Sequence, residues 1–142
     1  MTKTKSRLNS LTTKDIDAKQ LDALFEQIGW KARGKEKWAE VLSKSSFAYS
    51  VWDGDKLVGF GRILEDGVMC MFYDIGVLPS HQGKGIGKDI MNRLIDEVKA
   101  KKYASIGLFA WEENPTNVTF YEKFGFRKVG TGMELEKYMV RE

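Results

Sequence analysis

The sequence predicts an α/β fold, with a mixed, mostly antiparallel sheet flanked by helices and a β-α-β unit at its centre. Two short turn signals, Asp53-Gly54-Asp55 and Asp66-Gly67, separate three strand-like runs and imply an antiparallel meander. A helical repeat of apolar residues follows the third run and leads into another strand-like run, which implies a crossover and a parallel pair. The chain of 142 residues is 42% apolar and 30% charged, the balance of an ordinary globular domain with a real core.

Taken in order, the first element is a helix. Asp17, followed three residues later by Gln20, resembles a capping box, and Leu21, Leu24, Phe25 and Ile28 recur at helical spacing up to Gly29. A second, shorter helix carries Trp38, Val41 and Leu42. Phe47–Trp52, Leu57–Leu64 and Val68–Val77 are the meander strands. Gly59 and Gly61 weaken the middle one unless something must lie close against it. After Pro79, Ile86, Ile90, Met91, Leu94, Ile95 and Val98 form one apolar helix face, and Ala104–Ala110 is the strand that closes the crossover. Asn114-Pro115 starts a short helix with Asn114 as its N-cap, and Gly125 sits just past its end. Phe126–Val129 and Met133–Val140 read as a closing pair of strands around Gly130-Thr131-Gly132. With no repeat, no low-complexity run and no linker, residues 1–142 read as one domain.

Bulk properties exclude several classes. The longest apolar stretch, Val68–Tyr73, is too short to span a bilayer, so no membrane partner is expected. The first residues carry basic side chains with no apolar block behind them, unlike a secretory signal. A single cysteine, Cys70, allows no intrachain disulfide; it reads as a small buried strand residue, and the chain as cytoplasmic. A net charge of +3, from 23 basic and 20 acidic residues scattered along the chain, is too small to argue for nucleic acid by itself, and with no basic stripe or recognition-helix pattern no nucleic-acid partner is expected. It leaves room for an anionic small ligand.

The most informative segment is Gln82-Gly83-Lys84-Gly85-Ile86-Gly87, which follows a strand and opens an amphipathic helix. Glycine lets backbone approach a ligand closely, and a helix start offers unpaired N–H donors at the positive end of its dipole. The segment is therefore built to hold a phosphate, with Lys84 and Lys88 adding charge. A P-loop needs Ser or Thr after Gly-Lys, but Gly87-Lys88 is followed by Asp89 and Gln82 stands where its first glycine belongs. A dinucleotide fingerprint starting at Gly83 would need glycine at Lys88, and the preceding strand belongs to a meander.

These residues resemble the GCN5-related N-acetyltransferase (GNAT) superfamily. Gln82, Gly85 and Gly87 match its central motif, between the family's fourth strand and third helix. A second block, Asn114–Phe126, resembles its closing helix with the Phe120-Tyr121 and Gly125-Phe126 landmarks, and the likeness covers about Phe47 to Phe126. The resemblance implies acetyl-CoA as the acetyl donor, without a metal. It implies that the main-chain amides of Ile75, Gly76 and Val77 bind pantetheine and polarise the thioester carbonyl. The pyrophosphate is expected on Gln82, Gly83, Lys84, Gly85, Ile86, Gly87 and Lys88, with Asn114 and Asn117 toward the arm or adenine end. Tyr121 is the candidate general acid, stabilising or protonating a leaving thiolate whose free pKa is about 8.5. Asp74, the only acid in Val68–Val77, is either a base acting through water or an acceptor pairing a structural donor. His81 reads as a surface residue rather than a catalytic one.

The acceptor is not spelled out by any motif. Trp30, Tyr73 and Trp111 are the candidate substrate residues; Trp111 stands beside Glu112 and Glu113, and aromatic faces with carboxylates suit a cationic amine. Asp74–Gly87 together with Phe120-Tyr121 also resembles the aralkylamine-type branch of the superfamily. A small primary amine is the leading acceptor and a protein N-terminus or lysine the second. A non-catalytic acyl-CoA-binding module and a nucleic-acid-binding protein are the competing classes. A strand over Met133–Val140 would offer an edge for pairing in a homodimer.

Overall fold

Asp17 caps the first helix as its side chain predicts, accepting from the Lys19 amide at 3.0 Å, and Gly29 ends it with φ +106°. Gln20 does not complete the expected capping box. Its side chain instead accepts from Leu57 N and donates to Asp55 O, stapling helix α1 (Ala18–Ile28) to a strand turn. The computed structural model describes residues 7–111 and 115–140, which fall into two compact units divided between Ile106 and Gly107.

In the first unit the strands are β1 (Leu8–Leu11), β2 (Phe47–Asp53), β3 (Lys56–Glu65) and β4 (Met69–Val77), joined at the edge by β5 (Ser105–Gly107), in sheet order β1-β2-β3-β4-β5. The meander is as predicted: β2 and β3 pair antiparallel from Phe47↔Ile63 to Asp53↔Lys56, and β3 with β4 from Glu65↔Cys70 to Gly59↔Val77. The amides of Ala104 and Ser105 donate to Val68 O, so β5 starts at the end of the sheet where β4 starts. That is the parallel pair the crossover requires, and the sheet is mixed. Two boundaries differ from expectation. The strand anticipated over Ala104–Ala110 holds only three residues, and β1 pairs on β2 although all four of its residues are exposed.

Helix α3 (Ile86–Val98) covers one face through Ile90, Met91, Leu94 and Val98, all buried. Gly59 and Gly61 are explained by it: a Cβ at Gly59 would meet Ile86 Cγ2 at 2.7 Å, and one at Gly61 would meet Ile90 Cγ2 at 2.8 Å. The other face is covered by α1 and α2 (Lys35–Lys44), whose Phe25 and Trp38 pack with Phe60 of β3. All three rings are almost fully buried, and burying one such side chain is worth roughly 1.5–3 kcal/mol.

The second unit contains α4 (Pro115–Glu122), which ends before Gly125 at φ +96° as predicted. Phe120, Tyr121, Phe124 and Phe126 form an aromatic cluster around it. The strands expected over Phe126–Val129 and Met133–Val140 are not formed; the described part is irregular, with one 3₁₀ turn at Glu136–Tyr138. Val129, Met133 and Leu135 are 80%, 90% and 70% exposed, so the segment has no buried face to reward strand pairing. The edge once expected for a homodimer is therefore not a strand in this chain. Asn114 and its proposed cap, with Glu112 and Glu113, lie outside the described residues.

Candidate active site

The register between β3 and β4 slips at one point. Phe60 faces Gly76 and Arg62 faces Tyr73, so Asp74 and Ile75 together stand opposite Gly61 alone. This is a β-bulge, and Asp74 takes the left-handed conformation at φ +52°. A non-glycine residue there needs support. Arg62 Nε donates to Asp74 Oδ2 at 2.7 Å, and Arg33 grips both oxygens, Nη1 to Oδ2 at 2.7 Å and Nη2 to Oδ1 at 2.9 Å. The Arg62 guanidinium also lies over the Tyr73 ring at 5.2 Å.

Asp74's side chain is only 6% exposed. Burial pushes its carboxyl up, but the bonds and charges of the two guanidiniums outweigh that and hold it below the usual carboxylate range. A general base needs a free lone pair and a pKa near the working pH. Of the two roles open to Asp74, the geometry favours the paired acceptor. Arg33 and Arg62 are functional candidates missed in the sequence. Arg62 had a signal, as the only charge in Leu57–Leu64; Arg33, among other basic residues, had none.

Past the bulge, Gly76 and Val77 still pair with β3 on one side. On the other side the three-residue β5 starts beside the beginning of β4, so the end of β4 extends beyond it. An extended arm can be received along such an edge. Gly76 has no room for a side chain, because a Cβ would meet Ile28 Cδ1 at 2.6 Å and Phe25 Cε1 at 2.8 Å. Trp30, half-exposed, stacks on that same Phe25 ring with centroids 4.8 Å apart.

The chain then turns through a 3₁₀ segment, Pro79–His81, into the glycine loop. Gln82 Nε2 donates to Val77 O at 3.3 Å, tying the loop to the end of β4. His81 is more than a surface residue: its Nε2 lies 2.9 Å from Asp53 Oδ2 and its Nδ1 2.8 Å from Ser80 Oγ. The hydrogen bond from His81 holds the Asp53 carboxyl low. Gly83 and Gly85 have φ +79° and +83°, with nothing within 4 Å of where a Cβ would stand. Gly85 is the N-cap of α3 and offers no side-chain cap, so the amides of Ile86, Gly87 and Lys88 are unclaimed by it. Lys84 and Lys88 are exposed, and no ion pair engages them among the described residues. This donor set suits a pyrophosphate. The Ile86 side chain is core, so only its main chain faces the loop.

In the second unit Tyr121 is half-buried against Phe120 and Phe126, and burial raises its phenol above the ordinary tyrosine value. Asn117 is half-buried on the same helix. Trp111 is exposed and stacks on Phe109 at 5.7 Å. Among the described residues no cluster of His, Cys, Asp or Glu could hold a metal, and no helix is long and apolar enough to cross a membrane.

The family model of the acetyltransferase (GNAT) domain matches residues 12–138, across both units. The chain belongs to the GNAT acetyltransferases. This GNAT chain is 33% identical over 127 residues to the uncharacterized N-acetyltransferase ycf52 of Porphyra purpurea, covering 86% of this chain and 71% of that one. It is 32% identical over 119 residues to a chloroplastic serotonin N-acetyltransferase of Oryza sativa, covering 78% of this chain but only 56% of that one. A GNAT-family acetyltransferase from Streptococcus pneumoniae has the same fold with a TM-score of 0.76 at 30% identity, over 95% of this chain and 99% of that one. The mixed sheet with its flanking helices is thus the GNAT architecture, and the protein is an acetyltransferase.

Proposed function

We propose that this enzyme transfers the acetyl group of acetyl-CoA to the primary amine of a small molecule by direct attack in a ternary complex. The observation that carries this reading is the uncapped, glycine-lined start of α3, reached through one 3₁₀ turn from the bulged strand β4. The amides of 86–88, with Lys84 and Lys88, would hold the pyrophosphate, and the β4 edge at Ile75–Val77 would take the pantetheine arm. When bound, acetyl-CoA supplies the activated acetyl thioester. A β4 amide would stabilise the charge that develops on the thioester oxygen. Tyr121, kept protonated by burial, would give its proton to the departing sulfur, while the proton lost by the attacking amine would pass through water and restore the phenol. That role rests on the Phe120-Tyr121 motif and on this desolvated phenol. Trp30, Tyr73 and Trp111 supply aromatic surface for an amine. The relative from Oryza sativa, by its name a serotonin acetyltransferase, favours an aromatic amine. A buried free cysteine, Cys70, suits a reducing compartment such as the cytoplasm.

The test is thiol release from acetyl-CoA across serotonin and other arylalkylamines, amino acids, aminoglycosides and peptides. Turnover with a small amine is expected. Release with peptides alone would assign a protein acceptor. Binding of acetyl-CoA without release on any amine would make the chain a non-catalytic acyl-CoA module.

A further inference from the structure

Six residues, Gly29-Trp30-Lys31-Ala32-Arg33-Gly34, join α1 to α2, and one carboxylate fixes the backbone at their far end. Asp22 Oδ1 accepts from Arg33 N at 2.8 Å and from Trp38 Nε1 at 2.7 Å, while Oδ2 accepts from Gly34 N at 3.0 Å. The loop is therefore anchored to its own helices before Arg33's side chain is counted. That side chain lies over the Trp38 ring at 4.5 Å and reaches Asp74, 41 residues away, through the two bonds described above. Arg62 also donates to Asp74, so the carboxylate keeps one guanidinium partner without Arg33. What Arg33 adds is a link between the loop and the bulge. A second link runs in parallel, from Trp30 through the stacked Phe25 ring to the space above Gly76. The two links reach β4 on either side of Ile75.

Resting on the acetyltransferase reading above, we infer that Arg33 is a positioning residue: it fastens the 29–34 loop to the bulged residue of β4, holding a wall of the amine site in register with the amide of Ile75. A planar fork that makes two parallel bonds fixes angle as well as distance, which a lysine at the same place cannot do. Loss of that register affects the amine, whose nitrogen must meet the carbonyl carbon, far more than it affects pyrophosphate binding at the start of α3.

The experiment compares wild type, Arg33→Ala and Arg33→Lys. Steady-state kinetics use serotonin and acetyl-CoA as probes, and backbone hydrogen exchange is followed in the ligand-free protein. Asp74 keeps Arg62 in both variants, so both are expected to fold, and melting curves check this. For Arg33→Ala the KM for serotonin should rise at least tenfold, with the KM for acetyl-CoA within twofold of wild type. Exchange at Ile75 and Gly76 should quicken at least tenfold, and Arg33→Lys should fall between. Unchanged exchange at those amides, or equal rises in both KM values, would overturn the role of Arg33. If the wild type releases no thiol with any amine, the acetyl-transfer reading falls, and the exchange data alone still decide whether Arg33 holds β4.

Discussion

Alanine at Gly76 tests how tightly α1 is pressed against β4, the strand proposed to receive the thioester. The added Cβ would lie 2.6 Å from Ile28 Cδ1 and 2.8 Å from Phe25 Cε1, where ordinary contact begins at 3.4 Å. The isoleucine methyl is a chain end and can swing away. The phenyl ring cannot: Phe25 is 2% exposed, stacked between Trp30 at 4.8 Å and Trp38 at 5.8 Å, with the edge of Phe60 at 6.2 Å. It must move by about 0.6 Å or push β4 away, and overpacking of this kind costs typically about 1–3 kcal/mol. With the ring boxed on three sides the upper half of that range applies. For a chain of this size about 3–4 °C of melting temperature follows each kcal/mol, so Gly76→Ala should melt roughly 6–12 °C below wild type. Calorimetry measures it, and adding Phe25→Leu should recover part of the loss, because the two sites share one contact. A melting temperature within 2 °C of wild type, or strict additivity of the two substitutions, would refute the account of Gly76 as a packing glycine.

Three further outcomes are expected. Tyr121→Phe should lower kcat about a hundredfold or more, the typical worth of a positioned proton donor, with the KM for acetyl-CoA nearly unchanged; an unchanged kcat removes Tyr121 from the mechanism. Gly85→Val places a β-branched residue at φ +83°, where only glycine is at ease, and should raise the KM for acetyl-CoA at least tenfold while the amine KM stays put. Asp74→Asn should change how stability depends on pH. The folded carboxyl titrates below its unfolded value, so its contribution is complete above about pH 4 and fades as pH falls through the folded pKa. The gap in melting temperature between variant and wild type should thus be widest at neutral pH and close in acid; a constant gap would mean that Asp74 is not stabilised as the anion.

The glycine loop was legible because its geometry is local. Glycines at fixed spacing before an amphipathic helix state both the positive φ angles of Gly83 and Gly85 and the open amides that follow. The meander was equally legible from two turns, and α1 and α3 from the helical spacing of their apolar residues. Strand β1 was not, since its four residues are all exposed and show no alternation to read. The opposite error arose over Met133–Val140, where strand-like composition has no partner and no buried face. Composition can license a strand, but hydrogen bonds to a neighbour make one. Asp74 was flagged as an acid needing a reason, and Arg62 carried a matching signal; their partner Arg33 could be found only once the fold had brought positions 41 residues apart together.

That three-residue cluster changes the chemistry expected of the amine. With both its oxygens engaged and its charge stabilised, Asp74 is poorly placed to take a proton, and its contribution is to shape: it holds a residue with positive φ where β4 must bend. The cluster itself carries one net positive charge, from two guanidiniums and one carboxylate, so it disfavours the approach of a second cation. A primary amine with a pKa near 10.4 is neutral in only about one molecule in 2,500 at pH 7. In the proposed transfer, a cluster that neither deprotonates the amine nor attracts its ammonium form would leave the site to orient the neutral fraction well. Precise placement can supply several kcal/mol of barrier lowering by itself. On the proposed mechanism the Arg33–Asp74–Arg62 clamp would replace a general base with rigidity.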